Sequence, residues 1–321
     1  MIIDFHTHYT PPEMMRLKDQ GLTTKFVGGA PAHTHQPRLG DLNLRIETMD
    51  QAGVDLAVLS CPIGIDGSLE ECKLINDKLG EAASKYPGRL IGLAHIPALG
   101  GDAALRELER AANEFGCKGV TLGSDVHGVP LDSKQLQPFY EKVQELGLYI
   151  FVHPSDRGVA SEMLLDHDLA RCVGRETALV AATIRLINGC IFDDFPGLKV
   201  QMSHLGGGIA PLLGRIRSYQ RKEFWGTVGN ERHGKLPKRP FDDYFGHMYF
   251  DTAGYSGNIN SVKAALLEMK PSQLLFGDDY PAEVRSAEVT KAFVENIRKL
   301  DISPEDINGI LAENGKKLLG L

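Results

Sequence analysis

The segment Ile2-Ile3-Asp4-Phe5-His6-Thr7-His8 combines an apolar run with two closely spaced histidines. The run predicts a β-strand over residues 2–7 that leads into the histidine pair. Side chains alternate across a strand, so His6 and His8 lie on the same face. Two imidazoles that leave one strand end in the same direction supply half of a divalent-metal site. The alternative is a pair of surface or capping histidines.

Seven later runs predict further strands, and the amphipathic stretches between the runs predict helices. The strands are predicted at 54–60, 90–95, 119–122, 149–153, 199–203, 248–251 and 274–276, and the helices near 41–52, 69–85, 102–115, 133–146, 171–194, 208–222, 257–269 and 285–300. Continuous apolar runs are typical of a parallel sheet that is buried on both faces. Eight strand–helix pairs predict an α/β protein, a (β/α)8 TIM barrel that forms a single domain over residues 1–321.

Two segments interrupt this alternation. Residues 9–40 are punctuated by proline and glycine and predict an insertion after strand 1 that could cover the mouth of the barrel. Residues 226–247 predict a second long loop, after the helix that follows strand 6. A doubly wound sheet is the alternative fold, but the glycines at 206–208 lack both the GxGxxG spacing and a Walker lysine.

Charge and composition limit the possible partners. The 321 residues carry a net charge of −7 and contain no dense run of Lys and Arg, which argues against nucleic-acid binding. No apolar stretch approaches the roughly 20 residues that span a bilayer, and the first residues lack the features of a signal peptide. The five cysteines are scattered and never in CxxC spacing, which favours a reducing compartment. We therefore expect a cytoplasmic protein without nucleic-acid or membrane partners.

Three further motifs with candidate site residues follow later predicted strands. His153 lies in FVHP at 151–154, His204 in SHLGGG at 203–208, and an aspartate pair in FGDDYP at 276–281. Considered one at a time, each has an ordinary structural interpretation. His153 would be a core histidine, His204 a turn cap and the aspartate pair a solvated turn. At one end of a parallel sheet they would join the histidine pair of strand 1, and such nitrogen and oxygen ligands suit a divalent ion such as Zn²⁺. A histidine beside the ion could act as general acid or base.

This order of motifs resembles the amidohydrolase-related superfamily of the amidohydrolase 2 type. More narrowly, it resembles the branch that contains 2-amino-3-carboxymuconate-6-semialdehyde decarboxylase and related aromatic-acid decarboxylases. The resemblance runs nearly end to end and includes RIETMDQAGV at 45–54, GRI at 214–216 and ENGKKLLGL at 313–321.

The resemblance implies a role for each candidate residue and one divalent metal ion, with Zn²⁺ expected and Mn²⁺ as the alternative. It assigns the metal ligands to His6, His8, His153 and Asp279. His204 and Asp279 match the catalytic residues of the family. Arg45 matches an arginine that binds a substrate carboxylate, and Arg215 matches one that serves the neighbouring subunit's site, which implies a homodimer. Ordinary ion pairing on a helix surface is the alternative for both arginines.

The implied function is a metal-dependent nonoxidative decarboxylase, or carboxy-lyase, for an unsaturated or aromatic carboxylic acid of the carboxymuconate-semialdehyde type. A hydrolase, lactonase or hydratase that acts on a carboxylated ring-cleavage product is the alternative, because the same metal and histidine could serve it. A non-enzymatic metal-binding scaffold is the third hypothesis.

Individual positions refine these hypotheses. In the superfamily that this chain resembles, members with two metals commonly bridge them with a carboxylated lysine at the end of strand 4. Here Lys118 lies before strand 4, so the resemblance favours one ion. Ser155 stands where the resemblance favours an aromatic residue, so the substrate stays open. Asp251, at the end of strand 7, is a candidate support for His204 or for the metal ligands. The second HxH, residues 33–35, is interpreted as structural or solvent-exposed.

Overall fold

Eight strands form the framework of the protein. The computed structural model describes residues 1–19, 26–27, 30–31, 37–155, 161–220 and 237–321. The strands are β1 Ile3–His8, β2 Leu56–Ser60, β3 Leu90–Gly92, β4 Gly119–Gly123, β5 Tyr149–His153, β6 Lys199–Met202, β7 Tyr249–Asp251 and β8 Leu274–Leu275. Nearly all of their residues are buried, as the continuous apolar runs predict for strands covered on both faces.

Helices follow the strands along the chain. They are α1 Pro12–Asp19, α2 Leu42–Ala52, α3 Leu69–Lys85, α4 Gly101–Phe115, α5 Gln137–Glu145, α6 Arg175–Asn188, α7 Ile191–Asp194, α8 Leu213–Tyr219, α9 Phe241–Phe245, α10 Ile259–Leu266, α11 Ala287–Arg298, α12 Pro304–Asn308 and α13 Asn314–Leu319. Local signals set their starts: the Ser68 side chain accepts from Glu71 N, and Glu71 returns the contact in a capping box at α3. The predicted α/β class with a parallel sheet is confirmed.

The strands form two parallel sheets, which meet at both edges. One sheet has the order β1-β2-β3 and the other β8-β7-β6-β5-β4. Ala94, just beyond β3, bridges Val120 in β4, and Thr7 in β1 bridges Tyr280, just beyond β8. Phe5 N also donates to the Phe276 carbonyl, at 2.8 Å. The carboxyl end of β1 therefore lies beside the segment that follows β8, although these segments are some 270 residues apart in the chain.

Several predicted boundaries move for local reasons. Strand β2 begins at Leu56 rather than at residue 54. Gly53 ends α2 in a left-handed conformation, and residues 54 and 55 connect this helix end to the strand. The helix predicted at 171–194 divides into α6 and α7 at Cys190, which has a φ of 64°. The helix predicted at 208–222 is a short 3-10 turn followed by α8.

The two interrupting segments are described only in part. Residues 9–40 include α1 and a short antiparallel pair of strands, Phe26–Val27 with Ala30–Pro31. The predicted loop at 226–247 contains α9 in its described portion, and residues 226–236 lie outside the described residues, as do residues 33–35. Across the described ranges, every helix is too short or too polar to cross a membrane.

Candidate metal and catalytic site

The three histidines predicted as ligands converge at the carboxyl ends of β1 and β5. His6, His8 and His153 are all at most 4% exposed. One ring nitrogen from each lies within 4.8 Å of the others, and the same holds for the set His6, His204 and Asp279. The structure therefore brings together all five residues that the motifs indicated, from four separate strand ends.

Hydrogen bonds at the outer nitrogens fix how these rings are presented. His6 Nδ1 faces Asp251 Oδ2 at 3.1 Å, and His153 Nδ1 faces the Pro154 carbonyl at 3.0 Å. Both partners are acceptors, so each Nδ1 carries the proton. His8 Nδ1 lies 2.9 Å from Ser60 Oγ, its register partner on β2.

The inner nitrogens then face one another. His6 Nε2 and His8 Nε2 are 3.2 Å apart. Two unprotonated nitrogens at this distance repel unless a cation or a proton lies between them. Histidines whose Nδ1–H is held by an oxygen and whose Nε2 points inward have the arrangement of ligands to a divalent ion. The donor set thus fits the metal that the sequence resemblance implies.

Asp279 supplies the carboxylate of the cluster. Its Oδ1 lies 3.0 Å from His8 Nε2 and 3.5 Å from His6 Nε2. Burial alone would raise the pKa of Asp279, but the neighbouring histidines outweigh burial and hold that pKa below its usual value. The preceding Asp278 turns away and accepts from Thr290 Oγ1 at 2.6 Å. Only one carboxylate of the pair faces the histidines, as strand alternation predicts.

The three histidines differ in the direction in which the fold shifts their pKa. Burial lowers the pKa of His8 and lowers that of His153 well below its usual value, which favours the neutral ring that a metal requires. Burial also opposes charge on His6, but Asp251 and Asp279 outweigh it and raise the pKa of His6. Asp251 therefore supports the cluster, as its position at the end of β7 suggested.

His204 lies beside the cluster with its own set of anchors. Its backbone N–H donates to Asp251 Oδ1 at 3.0 Å, and its Nδ1 lies 2.8 Å from Glu176 Oε1. The ring stacks on His6 with centroids 5.1 Å apart. Burial would lower the pKa of His204, but Glu176 and the nearby aspartates outweigh burial and raise the pKa to about 9.

The free nitrogen of His204 faces the shared centre. His204 Nε2 is 3.8 Å from Asp279 Oδ2, and it is buried without a hydrogen-bond partner among the residues that the structure describes. A buried polar atom without a partner costs free energy, and such atoms in native proteins commonly face a ligand or a reacting group. His204 is thus placed to exchange a proton with a molecule bound at the cluster.

Arg45 does not have the position that its expected role requires. The side chain is 2% exposed, and its Nη2 donates to Asp4 Oδ2 and, at 2.8 Å, to Thr7 Oγ1. Its guanidinium also lies over the Tyr280 ring, 4.5 Å from the centroid. A guanidinium that is buried to this extent and paired with Asp4 through Nη2 is not presented to a substrate carboxylate in this structure. We therefore correct the expectation: Arg45 balances buried acids behind the site.

Arg215 lies apart from the cluster on α8. It is exposed, and its contacts are with Tyr219, one turn later on the same helix. Arg215 therefore does not contact the histidine cluster of its own chain. Its exposure is compatible with a role in the site of a second subunit.

The sequence reasoning missed Glu176, and the structure also accounts for the buried His95. Glu176 lies in the first turn of α6, in a stretch with no motif, so only the fold reveals its contact with His204. His95 accepts from Cys61 N at 3.0 Å and binds the Leu93 carbonyl through Nδ1. His95 is therefore a satisfied buried histidine.

Comparison with known proteins identifies the family. The amidohydrolase family model, Amidohydro_2, matches residues 3–321. The chain belongs to the amidohydrolase family.

Relatives within the family carry two kinds of activity in their names. The 2-amino-3-carboxymuconate-6-semialdehyde decarboxylase of Dictyostelium discoideum is 26% identical over 99% of this chain and 91% of its own length. The 2-keto-4-carboxy-3-hexenedioate hydratase of Sphingobium sp. strain SYK-6 is 25% identical over 99% and 96%. A dihydroxybenzoic acid decarboxylase from Polaromonas sp. JS666, solved with bound manganese and 2-nitroresorcinol, is 25% identical, covers 100% of this chain and 97% of its own, and superimposes with a TM-score of 0.81.

Proposed function

We propose that this amidohydrolase-family protein is a metal-dependent nonoxidative decarboxylase for an unsaturated or aromatic carboxylic acid. The observation that carries the proposal is the convergence of the His6, His8 and His153 ring nitrogens with Asp279, beside the unpartnered Nε2 of His204. Relatives that act as decarboxylases on a carboxymuconate semialdehyde and on a dihydroxybenzoic acid support the same reaction class.

The proposed architecture is a single domain, a closed (β/α)8 barrel over residues 1–321. The contacts of β3 with β4 and of β8 with β1 support closure, because they join both edges of the two sheets. The site would then lie at the carboxyl ends of the strands, where barrel enzymes place their chemistry.

The proposed metal centre holds one divalent ion, Zn²⁺ or Mn²⁺, through His6, His8, His153 and Asp279. The bound manganese of the Polaromonas decarboxylase supports a divalent ion of this kind. When bound, the ion supplies a Lewis acid that orients and polarises an anionic substrate.

The chain's own residues would manage the proton of the reaction. Decarboxylation breaks the bond between the substrate carbon and its carboxylate, leaves the electron pair on that carbon, and consumes one proton, so R–COO⁻ and H⁺ give R–H and CO₂. His204 would deliver this proton from Nε2, since it is the proton-bearing group that faces the cluster from outside the ligand set.

The proposed assembly is a homodimer in which Arg215 binds the carboxylate of a substrate in the neighbouring site. The exposure of Arg215 on α8 supports this role, since the guanidinium is accessible to a second chain. Arginine suits it because its planar fork binds carboxylates in a bidentate manner.

Product analysis tests the proposed reaction. The metal-loaded protein is incubated in D₂O with carboxyl-labelled dihydroxybenzoates and muconate-type acids, and CO₂ and product are measured. The proposal predicts one CO₂ per turnover and one deuterium at the carbon that lost the carboxylate. A product that gains water while it retains the labelled carboxylate would instead establish a hydratase, the activity of the Sphingobium relative.

A further inference from the structure

Glu176 lies directly against the candidate proton donor. Its Oε1 is 2.8 Å from His204 Nδ1, and its side chain is 20% exposed. The glutamate comes from the first turn of α6, whereas His204 follows β6, so the contact joins two elements. An ionised carboxylate can only accept a hydrogen bond, so the proton of this contact lies on His204 Nδ1. Nε2 is then the ring nitrogen that can exchange a proton with a bound substrate.

The surroundings of Glu176 strengthen this contact. Glu176 lines a cavity of about 480 Å³ whose other described walls are uncharged and include Val173, Leu205 and Ala264. Hydrogen bonds between charged groups are stronger where the local dielectric constant is low.

The turn after His204 is built to admit α6 at this distance. Gly207 has a φ of 72°, and a Cβ at this position would lie 2.0 Å from the Glu176 carbonyl oxygen. Any side chain at position 207 would therefore push the start of α6 away from His204. The absence of a side chain at Gly207 and the Glu176–His204 contact thus belong to the same local arrangement.

We propose that Glu176 is a positioning residue for the decarboxylation proposed above. It keeps a proton on His204 Nδ1 and fixes the ring plane, so that Nε2 is the nitrogen that gives its proton to the substrate carbon. Asp251 holds the backbone of the same residue, and the two carboxylates together leave the ring little freedom to rotate. The reaction in this inference is the proposed decarboxylation. The positioning role itself is inferred from the contact between Glu176 and His204.

Two substitutions separate positioning from other roles. Glu176→Ala removes the contact, whereas Glu176→Gln keeps an oxygen that accepts from Nδ1 but removes the charge. We expect Glu176→Ala to lower kcat by about 10- to 100-fold, the usual effect of losing a group that orients a histidine, with KM changed less than two-fold. Glu176→Gln should retain more of the activity than the alanine variant does. Thr177→Val is the matched control, because Thr177 lines the same cavity and donates only to the Val173 carbonyl of its own helix.

A spectroscopic measurement tests the positioning without turnover. Two-bond ¹H–¹⁵N correlation spectra of the Zn²⁺-loaded protein report which nitrogen of His204 carries the proton. The proposal predicts that Nδ1 carries a proton in the native and Glu176→Gln proteins, both when Nε2 is protonated and after Nε2 has lost its proton. In Glu176→Ala the neutral ring should be a mixture of the two tautomers, with the metal content unchanged. An unaltered tautomer, an unaltered kcat, a loss confined to KM, or a loss of metal in Glu176→Ala would each overturn it. If the native protein releases no CO₂, the proposed function fails, while the spectra still decide the role of Glu176.

Discussion

At the scale of single residues, two neighbouring aspartates have different surroundings, one beside the proposed metal ligands and the other among buried structural contacts. Asp279 faces the histidines, whereas Asp278 faces Asp4 and Arg45 behind the strand end. Burial and the nearby Asp4 raise the pKa of Asp278 well above its usual value, while the histidines lower that of Asp279. Adjacent carboxylates therefore differ in the direction of their pKa shifts because their partners differ.

Arg45 provides the sharpest residue-scale prediction, because sequence and structure assign it different roles. Removing one member of a buried ion pair leaves an unpaired charge and costs about 3–5 kcal/mol. We expect Arg45→Met to lower the free energy of unfolding by that order, measured by urea denaturation, because Asp4 loses its partner.

Steady-state kinetics supply the contrasting result for Arg45. A lysine at position 45 keeps the charge and should recover part of the lost stability. If Arg45→Met is as stable as the native protein and instead raises KM, the residue binds the substrate carboxylate, and the structural interpretation is wrong.

At the scale of elements, the turn that joins β6 to the following helices sets the position of His204. Leu205, Gly206 and Gly207 all have positive φ values there, between 51° and 72°. Gly207 is the most constrained of them, since α6 packs against its Cα.

We predict that Gly207→Ala destabilises the protein more than left-handed strain alone would. The strain of an alanine at positive φ is about 1–2 kcal/mol, and the clash with the Glu176 carbonyl adds to it. Gly88→Ala is the matched control, because Gly88 has the same φ of 72° and open space around its Cα. Thermal unfolding compares the two, and equal losses of stability would show that α6 yields to the new methyl group without cost.

The elements also show how far the sequence determines the result. The strand runs and the HxH, FVHP, SHLGGG and FGDDYP motifs were sufficient to predict the parallel α/β fold and five residues that the structure brings together. They could not predict Glu176, because a contact between α6 and the turn after β6 depends on how helices pack. The family resemblance implied a substrate-binding role for Arg45, whereas the structure buries Arg45 against Asp4. That burial depends on the pairing of β1 with the segment after β8, which the sequence does not show.

At the scale of the whole molecule, buried neutral histidines make stability depend on pH. Burial lowers the pKa of His95 from 6.5 to about 4. Between these values the unfolded chain binds a proton at His95 that the folded protein does not. The stability from neutral His95 is therefore complete above pH 6.5 and is lost as the pH falls toward 4, by up to about 1.4 kcal/mol per pH unit.

We expect His95→Gln to reduce this acid sensitivity, because glutamine can still accept from Cys61 N and does not titrate. Urea denaturation of the metal-free protein at several pH values between 4 and 7 gives the slope, with the exposed His167→Gln as the control. Identical slopes in the native and His95→Gln proteins would contradict the assignment of His95 as a buried neutral group.

The proposed metal centre joins strand ends from both halves of the chain. Asp279→Asn should remove tight metal binding and activity together, since it weakens one of four proposed ligands. Asp278→Asn should retain the metal, because that carboxylate faces Thr290 and Arg45 instead of the histidines. This pair of variants is the internal control for the decisive measurement.

That measurement is a metal titration followed by CO₂ release. The protein is stripped with a chelator, and known amounts of Mn²⁺ or Zn²⁺ are added back while decarboxylation of the best substrate is recorded. A single-ion centre predicts no activity without metal and a linear rise that ends at one equivalent per chain. Full activity in the stripped protein, or a rise that continues to two equivalents, would contradict a single-ion centre formed by His6, His8, His153 and Asp279.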